Sequence, residues 1–142
     1  MNTDKKITIT IETEVNAPVW SIWKYWTTPE DIIHWNTGSD DWHTPKAVND
    51  LRAGGRFSFR MESKDGKNGF DFEGTYTRII ENKQIDYTII DGRAVSIHFS
   101  GANNATRIIE SFEVEATNPV EIQKKGWQTI LNNFKSYVES KK

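Results

Sequence analysis

The stretch NPVEIQKKGWQTILNNFKSYVES, residues 118–140, decides the fold. Its apolar residues Trp127, Ile130, Leu131, Phe134 and Val138 recur at i, i+3, i+4, i+7 and i+11, the spacing that gathers side chains along one stripe of a helix. Asn118 is placed to cap that helix and Pro119 to occupy its first position. Glu121 falls in the first turn, where a carboxylate favours the positive end of the helix dipole. A helix of about twenty residues is roughly 30 Å long, enough to cross a sheet from edge to edge. The apolar stripe needs a cover, and nearly all the periodicity upstream of it is of the strand kind.

Residues 7–15 place Ile7, Ile9 and Ile11 on one face and Thr8, Thr10 and Glu12 on the other, a half-exposed strand. Pro18 then opens a short helix with Val19, Ile22, Trp23 and Trp26 on one side, and Thr28-Pro29-Glu30-Asp31 opens a second that runs to about His34. Between Trp35 and Asp50 the chain is polar and aperiodic, which predicts an irregular segment with one short strand near Ala47. From Gly54-Gly55 onward alternation returns: Phe57, Phe59 and Met61, then Phe70, Phe72 and Tyr76, with Gly74 marking a bulge or bend. Asp65-Gly66 or Asn68-Gly69 turns the first of these hairpins. Ile85, Tyr87 and Ile89 lead to Asp91-Gly92; Val95, Ile97 and Phe99 lead to Asn103-Asn104; and Ile108, Phe112 and Val114 follow.

This order predicts an α+β fold in one domain spanning 1–142: a curved antiparallel sheet of six or seven strands, two short helices after the first strand, and the long C-terminal helix gripped by the sheet. One helix cannot fill the concave side of such a sheet, and the leftover space is a cavity. The parity of the strands turns Phe57, Phe59, Met61, Phe70, Phe72, Tyr76, Tyr87, Ile97, Phe99, Ile108 and Phe112 towards Trp127, Ile130, Leu131 and Phe134. A packed core and a ligand-sized pocket both satisfy that pattern.

Composition excludes several functions. A net charge of −2 with 27% charged residues gives no field suited to nucleic acid, and the two short helices lack the basic face of a DNA reader. There is no cysteine, hence no disulfide or thiol chemistry. Met1 to Lys6 is polar and no apolar run approaches the ~18 residues of a membrane span, so the expectation is a cytoplasmic protein with no membrane partner. His34, His43 and His98 stand singly, which predicts no metal, and no serine sits in a Gly-x-Ser-x-Gly elbow. Gly54-Gly55 lacks the spacing of a phosphate or dinucleotide loop, and no cofactor is expected. Aromatic residues, by contrast, make up 12% of the chain and supply stiff, bulky walls.

Two polar features remain as catalytic candidates. Glu110 shares parity with Ile108 and Phe112, so it either carries a carboxylate into the aromatic interior, where it must find a partner or take up a proton, or returns to water at a bulge or edge. Asp41 and His43 flank Trp42, and an Asp–His pair there would orient a base; an acidic turn beside a solvated histidine accounts for them equally. On the outer face Arg60, Glu62, Asp71, Glu73 and Arg107 interleave opposite charges, as surface pairs do. Packing of this face on another subunit is the alternative, and monomer and homodimer both stay open.

Asn16-Ala17-Pro18 with Val19-Trp20-Ser21-Ile22-Trp23, then Trp35, Leu51-Arg52-Ala53-Gly54-Gly55-Arg56-Phe57, Gly74-Thr75-Tyr76 and Gly126-Trp127-Gln128-Thr129-Ile130-Leu131 come in the order of a known family. From Ile7 to Glu139 the chain resembles the family named after the activator of the 90-kDa heat-shock protein ATPase (AHSA-like), within the START-like or SRPBCC helix-grip superfamily. The resemblance implies a hydrophobic cavity between sheet and terminal helix that binds an apolar or amphipathic small molecule. In this sequence its walls would be Trp35, Trp42, Phe57, Phe59, Met61, Phe70, Phe72, Tyr76, Tyr87, Phe99, Glu110, Trp127, Ile130 and Leu131. Cyclases, dehydratases and hydrolases also occur in the superfamily, which makes an enzyme using Glu110 or the Asp41–His43 pair the alternative. A chaperone-associated stress-response role is the third reading, although the eukaryotic activator engages its chaperone through a separate N-terminal domain for which this chain has no room.

Overall fold

Alternating apolar side chains share one buried face when the strands that carry them join one sheet, and here they do. The computed structural model describes residues 7–141, so the polar start of the chain and Lys142 lie outside the described residues. Strand β1 (Thr8–Val15) is followed by helices α1 (Val19–Thr27) and α2 (Pro29–Trp35). Strands β2 (Trp42–Asn49), β3 (Arg56–Ser63), β4 (Gly69–Ile80), β5 (Gln84–Ile89), β6 (Ala94–Ala102) and β7 (Ala105–Glu113) come next, and helix α3 (Val120–Glu139) closes the chain. The seven strands form a single curled sheet in the order β1-β7-β6-β5-β4-β3-β2, with every neighbouring pair antiparallel. This is the predicted α+β helix-grip architecture.

Three local readings are corrected. The polar segment after Trp35 carries a full strand, Trp42–Asn49, which lies at the sheet edge. Its ladder slips between His43 and Lys46, where Pro45 sits, and an edge bulge is one of the few places a sheet accepts proline. The helix α3 starts one residue late: Pro119 is its capping residue and Val120 its first. No side chain caps its first turn; Gln123 instead ties the helix to the connection before it, its Nε2 donating to the Asn118 carbonyl at 2.7 Å while its Oε1 accepts the Glu115 N–H at 2.9 Å. The β4 bulge falls between Tyr76 and Arg78, not at Gly74. Gly74 pairs with Phe57 across the ladder, and an added Cβ would stand 2.7 Å from the Phe57 ring and 2.6 Å from the Thr88 carbonyl. Glycine is required there so that the ring can lie over the strand.

The two halves of α3 meet different neighbours. Phe134, fully buried, lies edge-on to Trp26 and Trp35, with ring centroids 4.8 and 4.9 Å away. Burial of a side chain that size stabilises by about 1.5–3 kcal/mol, and each aromatic contact adds about 0.5–1.5 kcal/mol. Tyr137 donates to Asp31 of α2 at 2.5 Å, and Lys135 donates to the Glu14 carbonyl of β1 at 2.6 Å. The C-terminal half of the helix is thus held by α1, α2 and β1. The N-terminal half, with Trp127 and Ile130, faces the middle of the sheet.

Candidate functional site

Between that N-terminal half and the concave face lies a cavity of about 260 Å³. Phe57, Phe59 and Met61 reach it from β3, Phe70, Phe72 and Tyr76 from β4, Tyr87 from β5 and Glu110 from β7, while α3 contributes Trp127 and Ile130 and Trp35 of α2 closes one end. The rings are packed on one another. Trp127 stacks on Phe112 at 4.3 Å with planes 7° apart and meets Phe72 edge-on at 6.1 Å. Phe57 touches Phe59, Tyr76 and Tyr87 at 5.0, 5.3 and 4.9 Å. Walls braced in this way lose little freedom when something is placed between them.

Three residues expected in this set do not line the cavity. Trp42 lies outside it beside Phe70, at 5.9 Å. Phe99 is packed against Trp23 and Trp26 at 5.5 and 5.6 Å, and Leu131 is fully buried in the core. Conversely Trp26, Asn36, Ile85, Arg93 and Ile97 line it. Trp26 and Ile97 were already on apolar faces by periodicity, and Ile85 shares the parity of Tyr87, so these were within reach of sequence reasoning. Asn36 and Arg93 lie in connections whose direction no period encodes. Gly126 is not part of the lining, and a Cβ there would meet nothing within 4 Å.

Glu110 is 6% exposed. Its neighbours across the ladder are Ile11 of β1 and Ile97 of β6, both almost completely buried, so the carboxyl is flanked by hydrocarbon on each side. No described residue donates a hydrogen bond to it. Fully enclosed side-chain polar atoms in this structure all have partners; the Glu110 carboxyl therefore opens onto the cavity that it lines. Burial pushes its pKa up to about 8, and at neutral pH it is chiefly a neutral acid. The Tyr87 phenol is raised well above its usual value, first by burial and then by the nearby Glu110 charge. Tyr76 is raised by burial although its hydroxyl donates to Asn49 Oδ1 at 2.6 Å. Both phenols stay protonated across the physiological range.

The Asp41–His43 pair does not assemble at this site. Asp41 is exposed ahead of β2, and its carbonyl accepts the Lys64 N–H at 2.8 Å. His43 lies opposite Glu62 on β3, with 4.0 Å between Nε2 and Oε1. Neither residue lines the cavity. On the outer face Arg60 pairs with Glu62 at 2.9 Å and Asp71 at 3.5 Å, and Arg107 with Glu12 at 2.6 Å. Exposed pairs of this kind contribute little. Among the described residues no cluster of three metal-ligating side chains occurs, and no helix is long and apolar enough to cross a membrane.

Residues 16–139 match the family described as Activator of Hsp90 ATPase homolog 1-like protein. No curated protein matches the chain. Among solved structures, an AHSA1-like protein from Aeromonas hydrophila, determined in solution, is 40% identical with a TM-score of 0.89, the match covering 94% of this chain and 93% of that one. A protein from Cytophaga hutchinsonii, also solved in solution, is 49% identical with a TM-score of 0.81 over the same shares. A crystal structure from Chromobacterium violaceum shares the fold at 19% identity, with a TM-score of 0.83 over 93% of this chain and 96% of that one.

Proposed function

We propose, from the premise that the chain belongs to the Activator of Hsp90 ATPase homolog 1-like family, that it is a binding protein holding a small apolar or amphipathic molecule between its sheet and its C-terminal helix. The observation that carries this reading is the aromatic cavity with an unpartnered acid on its wall. Its volume, about 260 Å³, is just below the roughly 300–1,000 Å³ of ligand sites, a size suited to a molecule of one or two rings. Native mass spectrometry of gently purified protein, together with thermal shifts against a library of lipids and small aromatics, tests it. Silence in both would remove the reading.

Glu110 favours a second one. A carboxyl with a pKa raised to about 8 beside a space of substrate size has the properties of a general acid or base. Catalysis of the cyclase, dehydratase or hydrolase kind would be lost in Glu110→Gln while ligand binding survived. Equal loss of both would return the residue to a binding role. The chaperone partner suggested by the family's name would meet the outer surface, and its test is stimulation of the chaperone's ATPase by the purified protein.

A further inference from the structure

We infer that Glu110 and Tyr87 together select ligands bearing a carbonyl oxygen over hydrocarbons and amines of the same size. The inference rests on reading the cavity as a ligand site.

Both groups are buried, and neither the Glu110 carboxyl nor the Tyr87 hydroxyl has a hydrogen-bond partner among the described residues. Both strands present them to the same space: Ile97 lies between Glu110 and Ile85 in one cross-strand row, and Val95 lies between Phe112 and Tyr87 in the next. The two strands stand two spacings apart, roughly 10 Å, and both side chains border the one cavity, so a ligand filling it meets both. Tyr87 feels the charge of Glu110, which places the two within electrostatic range.

A buried polar group with nothing to bind loses its hydration without return, and a ligand atom that pairs with it restores the loss. Burial keeps Glu110 protonated at neutral pH, and a protonated carboxyl and a phenol are both O–H donors. What two donors on one cavity wall lack is an acceptor, and a carbonyl oxygen has two lone pairs to offer. The surroundings do not reverse this. The cavity wall that Glu110 shares holds Tyr76 of β4, Tyr87 of β5 and Arg93 of the β5–β6 turn, with Trp127 and Ile130 from α3 and Ile97 beside it on the ladder. Arg93 is the lining residue with a permanent charge, and it is held by Asp91 at 2.8 Å. An ammonium would meet a neutral acid and, elsewhere on the wall, a guanidinium.

Three probes of similar size, 2-acetylnaphthalene, 2-ethylnaphthalene and 2-(aminomethyl)naphthalene, separate the possibilities when their Kd values are measured at about pH 6.5 and about pH 9, either side of the Glu110 transition. The acetyl compound is expected to bind roughly fivefold tighter than the ethyl compound at the lower pH, the yield of one net hydrogen bond, and to lose much of that margin at the higher. Glu110→Gln keeps the preference, because an amide still donates, and removes its pH dependence; Glu110→Leu cuts the preference to the part the Tyr87 hydroxyl supplies, and adding Tyr87→Phe removes the rest. Equal affinity for the acetyl and ethyl probes in the unmodified protein would overturn the inference while leaving the binding reading intact. So would tightest binding of the amine with affinity rising with pH. If none of the three binds although the library yields a ligand, this inference is overturned; if the library is silent as well, the binding reading falls with it. Because Glu110→Gln nearly preserves shape, the pH arm decides even where Glu110→Leu does not fold.

Discussion

Replacing Glu110 by glutamine should make the protein more stable at alkaline pH and leave it nearly unchanged in acid. Its pKa in the folded protein is about 8, against an ordinary value of 4.5, and burial is the cause. Between those two values the unfolded chain has lost a proton that the native state still holds, so stability declines as pH rises. The contribution is complete below the unfolded value, falls through the interval, and is gone above the folded one. At about 1.4 kcal/mol per pH unit, the interval amounts to roughly 5 kcal/mol. Glutamine occupies nearly the same volume and cannot ionise. Urea unfolding of both proteins at about pH 5 and about pH 8.5 should therefore give matching stabilities at the first and a variant more stable by several kcal/mol at the second. In a thermal melt the same gap is on the order of 10 °C for a chain of this size. Other titrating groups cancel in the comparison. Parallel stability curves for the two proteins would show that the carboxyl is hydrated or partnered in solution, and would refute the account of the site built on its burial.

Gly126→Ala should raise the urea midpoint by the equivalent of about 0.5–1 kcal/mol with an unchanged slope, since the new Cβ meets nothing within 4 Å and alanine replaces glycine inside a helix. Gly74→Ala should cost about 2–3 kcal/mol, because the Phe57 ring and the Thr88 carbonyl occupy the place of its Cβ; an unperturbed melting curve would disprove the close approach. Phe134→Ala should cost about 3–5 kcal/mol, and a loss under 1 kcal/mol on chemical unfolding would mean that the Trp26–Trp35–Phe134 cluster is not the anchor of α3.

Period-two and period-3.6 patterns can be read from sequence because one face of each element is buried, and here they placed six of the seven strands and the terminal helix, and put Glu110 in parity with Ile108 and Phe112 while leaving open its return to water at a bulge or edge. What escaped them has particular causes. The strand Trp42–Asn49 is an edge strand broken by Pro45, so apart from the buried Thr44 its side chains are half-buried or exposed, and its composition is that of a loop. Asn36 and Arg93 reach the cavity from connections, where direction is set by backbone dihedrals and not by alternation. Phe99 and Leu131 were expected in the cavity wall because periodicity gives the face and not the depth, and Trp42 because it stands in the polar segment expected at the cavity mouth, where no periodicity fixes direction. Phe99 shares its face with Tyr87, yet it lies towards α1, where Trp23 and Trp26 already fill the space.

That difference in depth explains how the chain tolerates an internal space at all. A cavity costs stability in proportion to the contacts its lining forgoes, so it must be offset by packing elsewhere. The helix α3 divides the interior along its length. Its C-terminal half closes a dense cluster with α1 and α2, through Phe134, Trp26, Trp35 and Tyr137, and is tied to β1 by Lys135. Its N-terminal half rests on Trp127, which stacks on Phe112 and stands beside Phe72 instead of filling the space in front of Glu110. Folding free energy and the polar liability are thereby placed at opposite ends of one helix. A substitution in the cluster should act on stability at every pH, whereas one at Glu110 should act only above the pH at which an ordinary carboxylate has ionised.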